Sequence, residues 1–403
     1  MSRQPGIGPG GRAGRWAALA ALAAALTLAV AACGGSGGKS GGGATGGAAA
    51  SNLPTSIGPG EGQLNLVAWE GYAQPDWVKP FEQQTGCKVS AKYAGSSDEM
   101  VSLMKDGGGG QYDLVSASGD ADLRLIYGKD VQPVNVALIP SWNDFIPQLK
   151  SPPFNTINGV HYGVSYEWGP NVLLYNTQKV SGAQSWQVIY SPQYKGQITV
   201  PDNPIQIADA ALYLSKTNPS LGITDPYELT RPQFDATVNL LKQQRPLIKK
   251  YWALASQEID MFKNGDAVVG AAWPYQTNTL KADKVAVADA IPTEGATGWA
   301  DTWMLAAKAP HPNCAYQWMQ YVTTPKVQAQ QAIFFGETPA NTKACAEMDK
   351  LAKGSCAQYH ANAPASYFNS IKFWKTPLAD CGNGQSDCVP YSEWQAAWQE
   401  IKG

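Results

Sequence analysis

The chain has 403 residues and a formal net charge of −2. This length exceeds what one compact core usually organises and suits two lobes of ordinary domain size. The nearly neutral charge excludes the basic surface that nucleic-acid binding requires. The composition favours Trp (14) and Tyr (18) over Phe (9), and such amphipathic rings suit the walls of a wet cleft, although a core position is the alternative for any single Trp.

The first residues have the pattern of a secretory signal peptide. Arginines precede a short apolar run that ends in small residues before Cys33, which predicts a signal peptide over residues 1–32. The letters LAVAAC at residues 28–33 resemble a bacterial lipobox, which implies that Cys33 becomes a lipid-modified N-terminus. Plain secretion with an unmodified Cys33 is the alternative. Gly, Ser and Ala dominate residues 33–60, so a flexible tether is expected there, with the folded part starting near residue 61.

The folded part begins with a predicted strand that leads into an α/β unit. Apolar and β-branched residues at 64–69 predict a buried strand, and a helix is expected from Pro75. A further strand, helix and strand through residues 113–116 complete a βαβαβ unit, so these strands should be parallel. In an open parallel sheet, ligands bind beyond the carboxyl ends of the strands. The side chains expected at that edge are Trp69, Tyr72, Ser118 and Asp120.

A second α/β unit is predicted in the middle of the chain. The Gly-Pro pair at residues 169–170 separates two predicted strands and is expected to carry the chain to a second lobe, with Trp168 at the hinge. The strand predicted at residues 267–273 again ends in an aromatic residue, Trp273. Residues 298–305 are expected to form a second crossover between the lobes.

Six cysteines remain after Cys33, in what should be an oxidising compartment. Six cysteines allow 15 pairings, and the sequence alone does not choose among them. Local loop closure favours Cys345 with Cys356 and Cys381 with Cys388, which leaves Cys87 for Cys314. A metal site is the weaker alternative, because no CxxC spacing occurs and the three histidines are scattered.

Motifs for catalysis are absent or misplaced, so the chain is not predicted to be an enzyme. A GxSxG pattern occurs at residues 34–38, but it lies in the tether and not on a strand-to-helix turn. The four glycines at 107–110 precede no Lys-Ser/Thr pair, and no HExxH motif is present. A secreted hydrolase is kept as the less favoured alternative.

Aromatic and acidic residues at the predicted strand ends favour an organic cation as ligand. Each ring offers roughly 0.5–2 kcal/mol of cation–π attraction, and a carboxylate anchors an ammonium group. Each of these residues could singly be a core aromatic or a solvated acid, but that interpretation is weaker for all of them together. The candidates are Trp69, Tyr72, Trp168, Trp273, Trp299, Asp120, Asp301 and Glu337.

From residue 64 to the C-terminus, the order of segments resembles the bacterial spermidine/putrescine-binding proteins, which are solute receptors of ABC transporters. The resemblance implies an α/β fold of the two-lobed periplasmic-binding-protein type (type II), each lobe a mixed sheet flanked by helices. The expected lobes are residues 61–167 with 300–345, and residues 168–299 with 346–403. The matching motifs are AWEGY at 68–72, YDLV at 112–115 with Ser118, YEWG at 166–169, YKG at 194–196, AW at 272–273, GWAD at 298–301 and GETPAN at 336–341.

The same resemblance implies a polyamine site, with some departures from the family pattern. Asn203 and Gln206 stand where the family has an acidic pair, and Asp120 and Glu337 stand where it has tyrosines. The residues that match the family's site are Trp69, Tyr72, Ser118, Trp273, Trp299 and Asp301.

The expectation is a monomeric receptor without a cofactor, lipid-anchored to the outer face of the cytoplasmic membrane. It should deliver a small cationic amine, such as putrescine or spermidine, to an ABC permease and its ATPase. Thiamine, a quaternary amine and ferric iron are the alternative solutes.

Overall fold

The computed structural model of the chain describes residues 53–381 and 387–403. The predicted signal peptide, Cys33 and most of the predicted tether lie outside these residues. Within the described ranges, no helix combines the length and apolar character needed to cross a membrane.

The described residues form two sheets and a short hairpin. In chain order the strands are β1 (Gln63–Ala68), β2 (Lys88–Tyr93), β3 (Leu114–Ser118), β4 (Val131–Gln132), β5 (Thr156–Ile157), β6 (Val160–His161), β7 (Gly163–Pro170), β8 (Val172–Asn176), β9 (Ile198–Pro201), β10 (Ile248–Trp252), β11 (Val269–Ala272), β12 (Val287–Ala290), β13 (Ala296–Ala306), β14 (Thr338–Pro339) and β15 (Ile371–Phe373).

Helices flank both sheets. In chain order they are α1 (Pro75–Thr85), α2 (Ser97–Leu103), α3 (Lys105–Gly108), α4 (Gly119–Gly128), α5 (Pro147–Lys150), α6 (Gln187–Tyr190), α7 (Gln206–Thr217), α8 (Arg231–Gln244), α9 (Ala255–Asn264), α10 (Pro274–Ala282), α11 (Pro312–Val322), α12 (Pro325–Phe335), α13 (Ala344–Leu351), α14 (Ser355–Gln358), α15 (Ala365–Ser370) and α16 (Tyr391–Lys402).

The larger sheet runs in the order β14-β7-β13-β3-β1-β2, and β4 and β15 also pair with β13. Strand β1 is parallel to β2 and β3, as the βαβαβ pattern predicts. Strand β13 is antiparallel to β3 and β7, so the sheet is mixed. All eleven residues of β13 are buried, which makes this strand the centre of the larger sheet.

Local sequence signals explain the first helices of this sheet. Helix α1 starts with Pro75 in its first turn, where a missing N–H costs nothing, and its Trp77 and Phe81 are buried. Helix α2 is capped by Ser96, whose hydroxyl accepts the Glu99 backbone N–H at 3.2 Å. These contacts fix both helices against the strands that lead to the sheet edge.

The smaller sheet runs in the order β10-β9-β11-β8-β12. Strand β9 is parallel to β10 and β11, whereas β8 is antiparallel to β11 and β12. Helix α16 returns from the end of the chain and packs against α8 on this side.

The chain passes from the larger to the smaller sheet at Asn171, the one residue between β7 and β8. Its side-chain amide donates to the Thr297 hydroxyl at 2.8 Å, which ties this passage to the start of β13. The return passage lies at residues 291–295, between β12 and β13. The predicted crossover at residues 298–305 is therefore wrong in position, because this buried run pairs with strands on both sides.

The structure joins Cys345 to Cys356 and Cys381 to Cys388, the two pairs that loop closure favours, and Cys87 to Cys314, the pair that remains. The pair formed by Cys87 and Cys314 spans 227 residues and joins the start of β2 to α11. The other two close short loops of sequence separation 11 and 7.

Replacing Cys87 and Cys314 together by Ala should lower the free energy of unfolding by about 2–5 kcal/mol, because the unfolded chain gains the freedom of a long loop. Urea denaturation measures this loss. The matched control replaces Cys381 and Cys388, whose short loop should make the smaller contribution. A larger loss for the control pair would contradict the loop-entropy account.

Candidate ligand-binding site

A cavity lies where the strand ends of the larger sheet meet loops and helices that follow strands of the smaller sheet. The centres of water molecules could occupy about 40 Å³ of this cavity. Such a narrow space suits a short, slender ligand. The walls are mostly aromatic and carry a few acids. The lining residues are Trp69, Glu70, Tyr72, Ala94, Ser118, Ala253, Leu254, Ala255, Trp273, Tyr275, Trp299, Asp301, Phe335, Glu337 and Trp374.

The turn after β1 presents Trp69 and Tyr72 to this cavity. The Tyr72 backbone N–H donates to the Trp69 carbonyl at 3.2 Å, which closes the turn. Gly71 has φ +97°, and a Cβ there would lie 2.9 Å from the Phe335 ring. The turn therefore needs glycine at this position for both backbone and space.

Two hydroxyl groups hold the Asp301 carboxyl at the buried end of the cavity. The Tyr72 hydroxyl donates to Oδ2 at 2.5 Å, and the Ser118 hydroxyl donates to Oδ1. Ser118 lies directly opposite Asp301 in the pairing of β3 with β13, so the sheet register fixes this contact. Asp301 is only 2 % exposed.

Burial raises the pKa of Asp301 to about 7, and the two hydroxyls and Trp69 counteract only part of this effect. Burial also raises the pKa of Glu337 well above its usual range, and the charges of Glu167 and Asp301 add to the shift. Glu337 Oε2 has no hydrogen-bond partner in the described ranges. The cavity lining thus holds acids whose ionised forms are destabilised by burial.

Indole rings form much of the remaining wall. Trp69 and Trp273 meet edge to face, with ring centroids 6.0 Å apart. Trp299 lies over the backbone of Gly169, where an added Cβ would be 2.9 Å from the ring. A cation in the cavity would therefore face several ring surfaces at once.

Seven of the predicted ligand residues line the cavity together, and their contact with a ligand stays a prediction. They are Trp69, Tyr72, Ser118, Trp273, Trp299, Asp301 and Glu337.

Asp120 lies outside the cavity lining, at the buried start of α4. Its carboxyl accepts the Ser97 hydroxyl at 2.9 Å and lies 3.8 Å from Arg124 Nη2. Burial raises the pKa of Asp120 to about 6, although Arg124 opposes the shift.

Trp168 and Asn203 also lie outside the lining. The Trp168 ring packs 5.1 Å from the Phe368 ring and 5.7 Å from the Phe373 ring. Asn203 Oδ1 accepts the Ile205 backbone N–H at 3.2 Å, which uses the side chain to shape the loop before α7.

Sequence reasoning missed several lining residues, among them Glu70, Tyr275 and Phe335. Glu70 follows Trp69 directly in the AWEGY motif, and this position could have indicated that it lies at the cavity. Its carboxylate receives the Ser256 hydroxyl at 3.3 Å, a contact that connects the turn after β1 to helix α9.

Residues 76–355 match the family of bacterial extracellular solute-binding proteins. The chain belongs to this family. The fold is the two-lobed fold of periplasmic binding proteins, and the family consists of solute receptors.

Two curated relatives illustrate the sequence similarity. The putrescine-binding periplasmic protein PotF of Escherichia coli is 29% identical over an alignment of 290 residues, and the match covers 66% of this chain and 74% of that protein. The putrescine/agmatine-binding protein of Pseudomonas aeruginosa is 24% identical over an alignment of 314 residues, and the match covers 73% of this chain and 83% of that protein.

Two solved structures illustrate the similarity of fold. A putative spermidine/putrescine ABC transporter protein from Listeria monocytogenes has a TM-score of 0.69 at 19% identity, covering 85% of this chain and 99% of that one. The binding protein MotA from A. tumefaciens, in complex with glucopine, has a TM-score of 0.65 at 16% identity, covering 85% and 100%.

Asp301→Asn should raise the melting temperature of the ligand-free protein at pH 8 by about 2–4 °C, which corresponds to about 1 kcal/mol. The folded pKa near 7 exceeds the ordinary value of 3.8, so the carboxyl favours folding at low pH and loses this contribution as the pH rises from about 4 to 7. Differential scanning calorimetry at pH 4.5 and pH 8 tests the sign. A variant that is less stable than wild type at pH 8 would show that burial does not penalise the carboxylate.

Proposed function

We propose that this chain is the receptor of an ABC importer and captures a small cationic amine, such as putrescine or spermidine, in the cavity. The observation that carries the proposal is Asp301, a buried carboxyl group among indole rings. Its two described hydrogen bonds come from neutral hydroxyls, and no Lys or Arg of the described residues lies within 4.0 Å of it.

An ammonium group supplies the cation that this carboxyl lacks. Tyr72 and Ser118 occupy two of the four acceptor positions of Asp301, which leaves room for an N–H donor. A charge-assisted bond of this kind contributes about 1.5–3 kcal/mol. The rings of Trp69, Trp273 and Trp299 add cation–π attraction along the alkyl chain and ammonium ends.

The names of the known relatives support an amine as the ligand more strongly than the fold does. The curated relatives above are described as binding putrescine or agmatine. The neighbours in fold include a protein bound to glucopine and a GABA receptor, so the fold also serves other solutes. The proposal therefore depends on the acids and rings of this cavity.

Both sheets contribute walls to the cavity, so ligand binding would hold the two sides together. Trp69 and Asp301 come from the larger sheet, whereas Trp273 follows β11 of the smaller sheet. A ligand that bridges these walls favours the closed arrangement, and the permease would recognise that arrangement.

Asp301→Asn should weaken the binding of putrescine and spermidine by roughly ten- to a hundredfold, because the buried ammonium loses its anionic acceptor. Titration calorimetry at pH 8 measures the change. The matched control is Asp209→Asn, which removes a partly buried carboxyl group whose pKa is also raised to about 7 and which lies outside the cavity lining. Equal affinities of Asp301→Asn and wild type would refute the site, and a wild type that binds neither amine would refute the function.

The proposal includes anchoring through Cys33, with the Gly-rich tether placing the receptor at the outer face of the cytoplasmic membrane. Cys33→Ser should move the protein from the membrane fraction to the soluble extracellular or periplasmic fraction, because the acyl chains are lost. Fractionation followed by immunoblotting measures the distribution. A Cys33→Ala variant is the control for the hydroxyl, and retention of both variants in the membrane fraction would exclude this anchor.

A further inference from the structure

Strand β7 contains a β-bulge opposite Asp301. Ala300 pairs with Trp168 and Thr302 pairs with Ser165, so Asp301 alone faces Tyr166 and Glu167. A bulge of this kind turns a strand locally and re-aims its side chains. Here it brings Glu167 close enough to Asp301 for the two charges to interact.

The Glu167 carboxyl group is fully buried and has no partner in the described structure. Its exposure is 0 %, and neither oxygen forms a hydrogen bond with any described residue. The described ion pairs do not include it. A buried carboxyl without a partner destabilises a fold, so a structural role does not account for Glu167.

Sheet pairing places Glu167 in a row of polar side chains that crosses three neighbouring strands, β3, β13 and β7. Ser118 on β3 faces Asp301 on β13, and Asp301 faces the bulge that contains Glu167. On the far side, Glu167 pairs with Pro339 of β14, two residues after Glu337. The charge of Glu167 adds to the raised pKa of Glu337, so Glu167 lies near two acids of the cavity lining, Asp301 and Glu337, although it does not line the cavity itself.

We propose that Glu167 is a specificity-determining residue, which acts through Asp301 and Glu337 to select ligands whose buried end is a protonated primary amine. This inference rests on the proposed function. A primary ammonium has three N–H donors, and each donor left unsatisfied in a buried site is costly. Asp301 already accepts two hydroxyls, whereas Glu337 Oε2 is free to accept.

The negative charge of Glu167 strengthens the attraction of Asp301 and Glu337 for a cationic ligand end but not for a neutral one. Without a ligand, three neighbouring carboxyl groups cannot all ionise, so the group retains protons near neutral pH. An incoming ammonium favours ionisation and releases such a proton. The other titratable groups that face these acids are Tyr72, Tyr166, Asp120 and Asp122.

Glu167→Gln keeps the shape of the side chain and removes its charge. At pH 7 this variant should bind putrescine about tenfold more weakly than wild type and release fewer protons on binding. Titration calorimetry in buffers of different ionisation enthalpy gives both values. The ligand-free variant should melt no lower than wild type, because it loses an unpartnered buried acid. A merely structural residue would instead lower the melting temperature and leave the proton count unchanged.

A second ligand tests the selection itself. N,N,N′,N′-tetramethylputrescine keeps the chain and both charges but has one N–H donor at each end. The ratio of the affinity for putrescine to the affinity for this compound should be about tenfold smaller in Glu167→Gln than in wild type. In the control Asp209→Asn this ratio should equal that of wild type.

The outcomes separate this inference from the proposed function. If wild type binds putrescine and Glu167→Gln matches it in affinity, preference and proton count, the role of Glu167 is overturned while the receptor function stands. If wild type binds putrescine at pH 7 without releasing protons, the inference fails even when the variant does not fold. If wild type does not bind putrescine, the proposed function itself fails.

Discussion

The site depends on one electrostatic constraint, the burial of Asp301 without a positively charged neighbour. Desolvation raises the pKa of this carboxyl to about 7, and two neutral hydroxyls are its described hydrogen-bond donors. The folded, ligand-free protein therefore carries a free-energy penalty that a cation can relieve. Because Tyr72 and Ser118 are fixed by the β1 turn and by the register of β3 with β13, the position that would receive the proposed cation is set without a ligand.

Strand β13 connects that constraint to the rest of the molecule. It pairs with β3 and β7, and it follows the return passage from the smaller sheet. Trp299 and Asp301 are two residues apart on this strand, so they emerge on the same side and both line the cavity. A shift of β13 by one residue would turn both side chains away from the cavity, which is why a fully buried, well-paired strand suits this position.

The sequence predicted the elements better than the directions of side chains. The βαβαβ pattern led correctly to parallel strands, and the strand ends led to Trp69, Tyr72 and Ser118 at the cavity. Trp168 was proposed because it ends a strand, but pairing places it opposite Ala300, and its ring packs against Phe368 and Phe373. Glu167 was missed because a β-bulge, which depends on how two distant strands pair, leaves no short-range signal in the sequence.

The distribution of acids around the cavity suggests different roles for its two sides in the proposed ligand binding. The lining acids Glu70, Asp301 and Glu337 all belong to the larger-sheet side, whereas the smaller-sheet side supplies rings and small residues. Asp202, which follows β9, is engaged by Lys402 and the Trp398 indole, so its charge is balanced away from the cavity. Under the proposed function, the ammonium end of a ligand would be held on the larger-sheet side, where these carboxyl groups lie. Closure of the two sides would then place Trp273 and Tyr275 against the ligand and exclude water, which would strengthen its contact with Asp301.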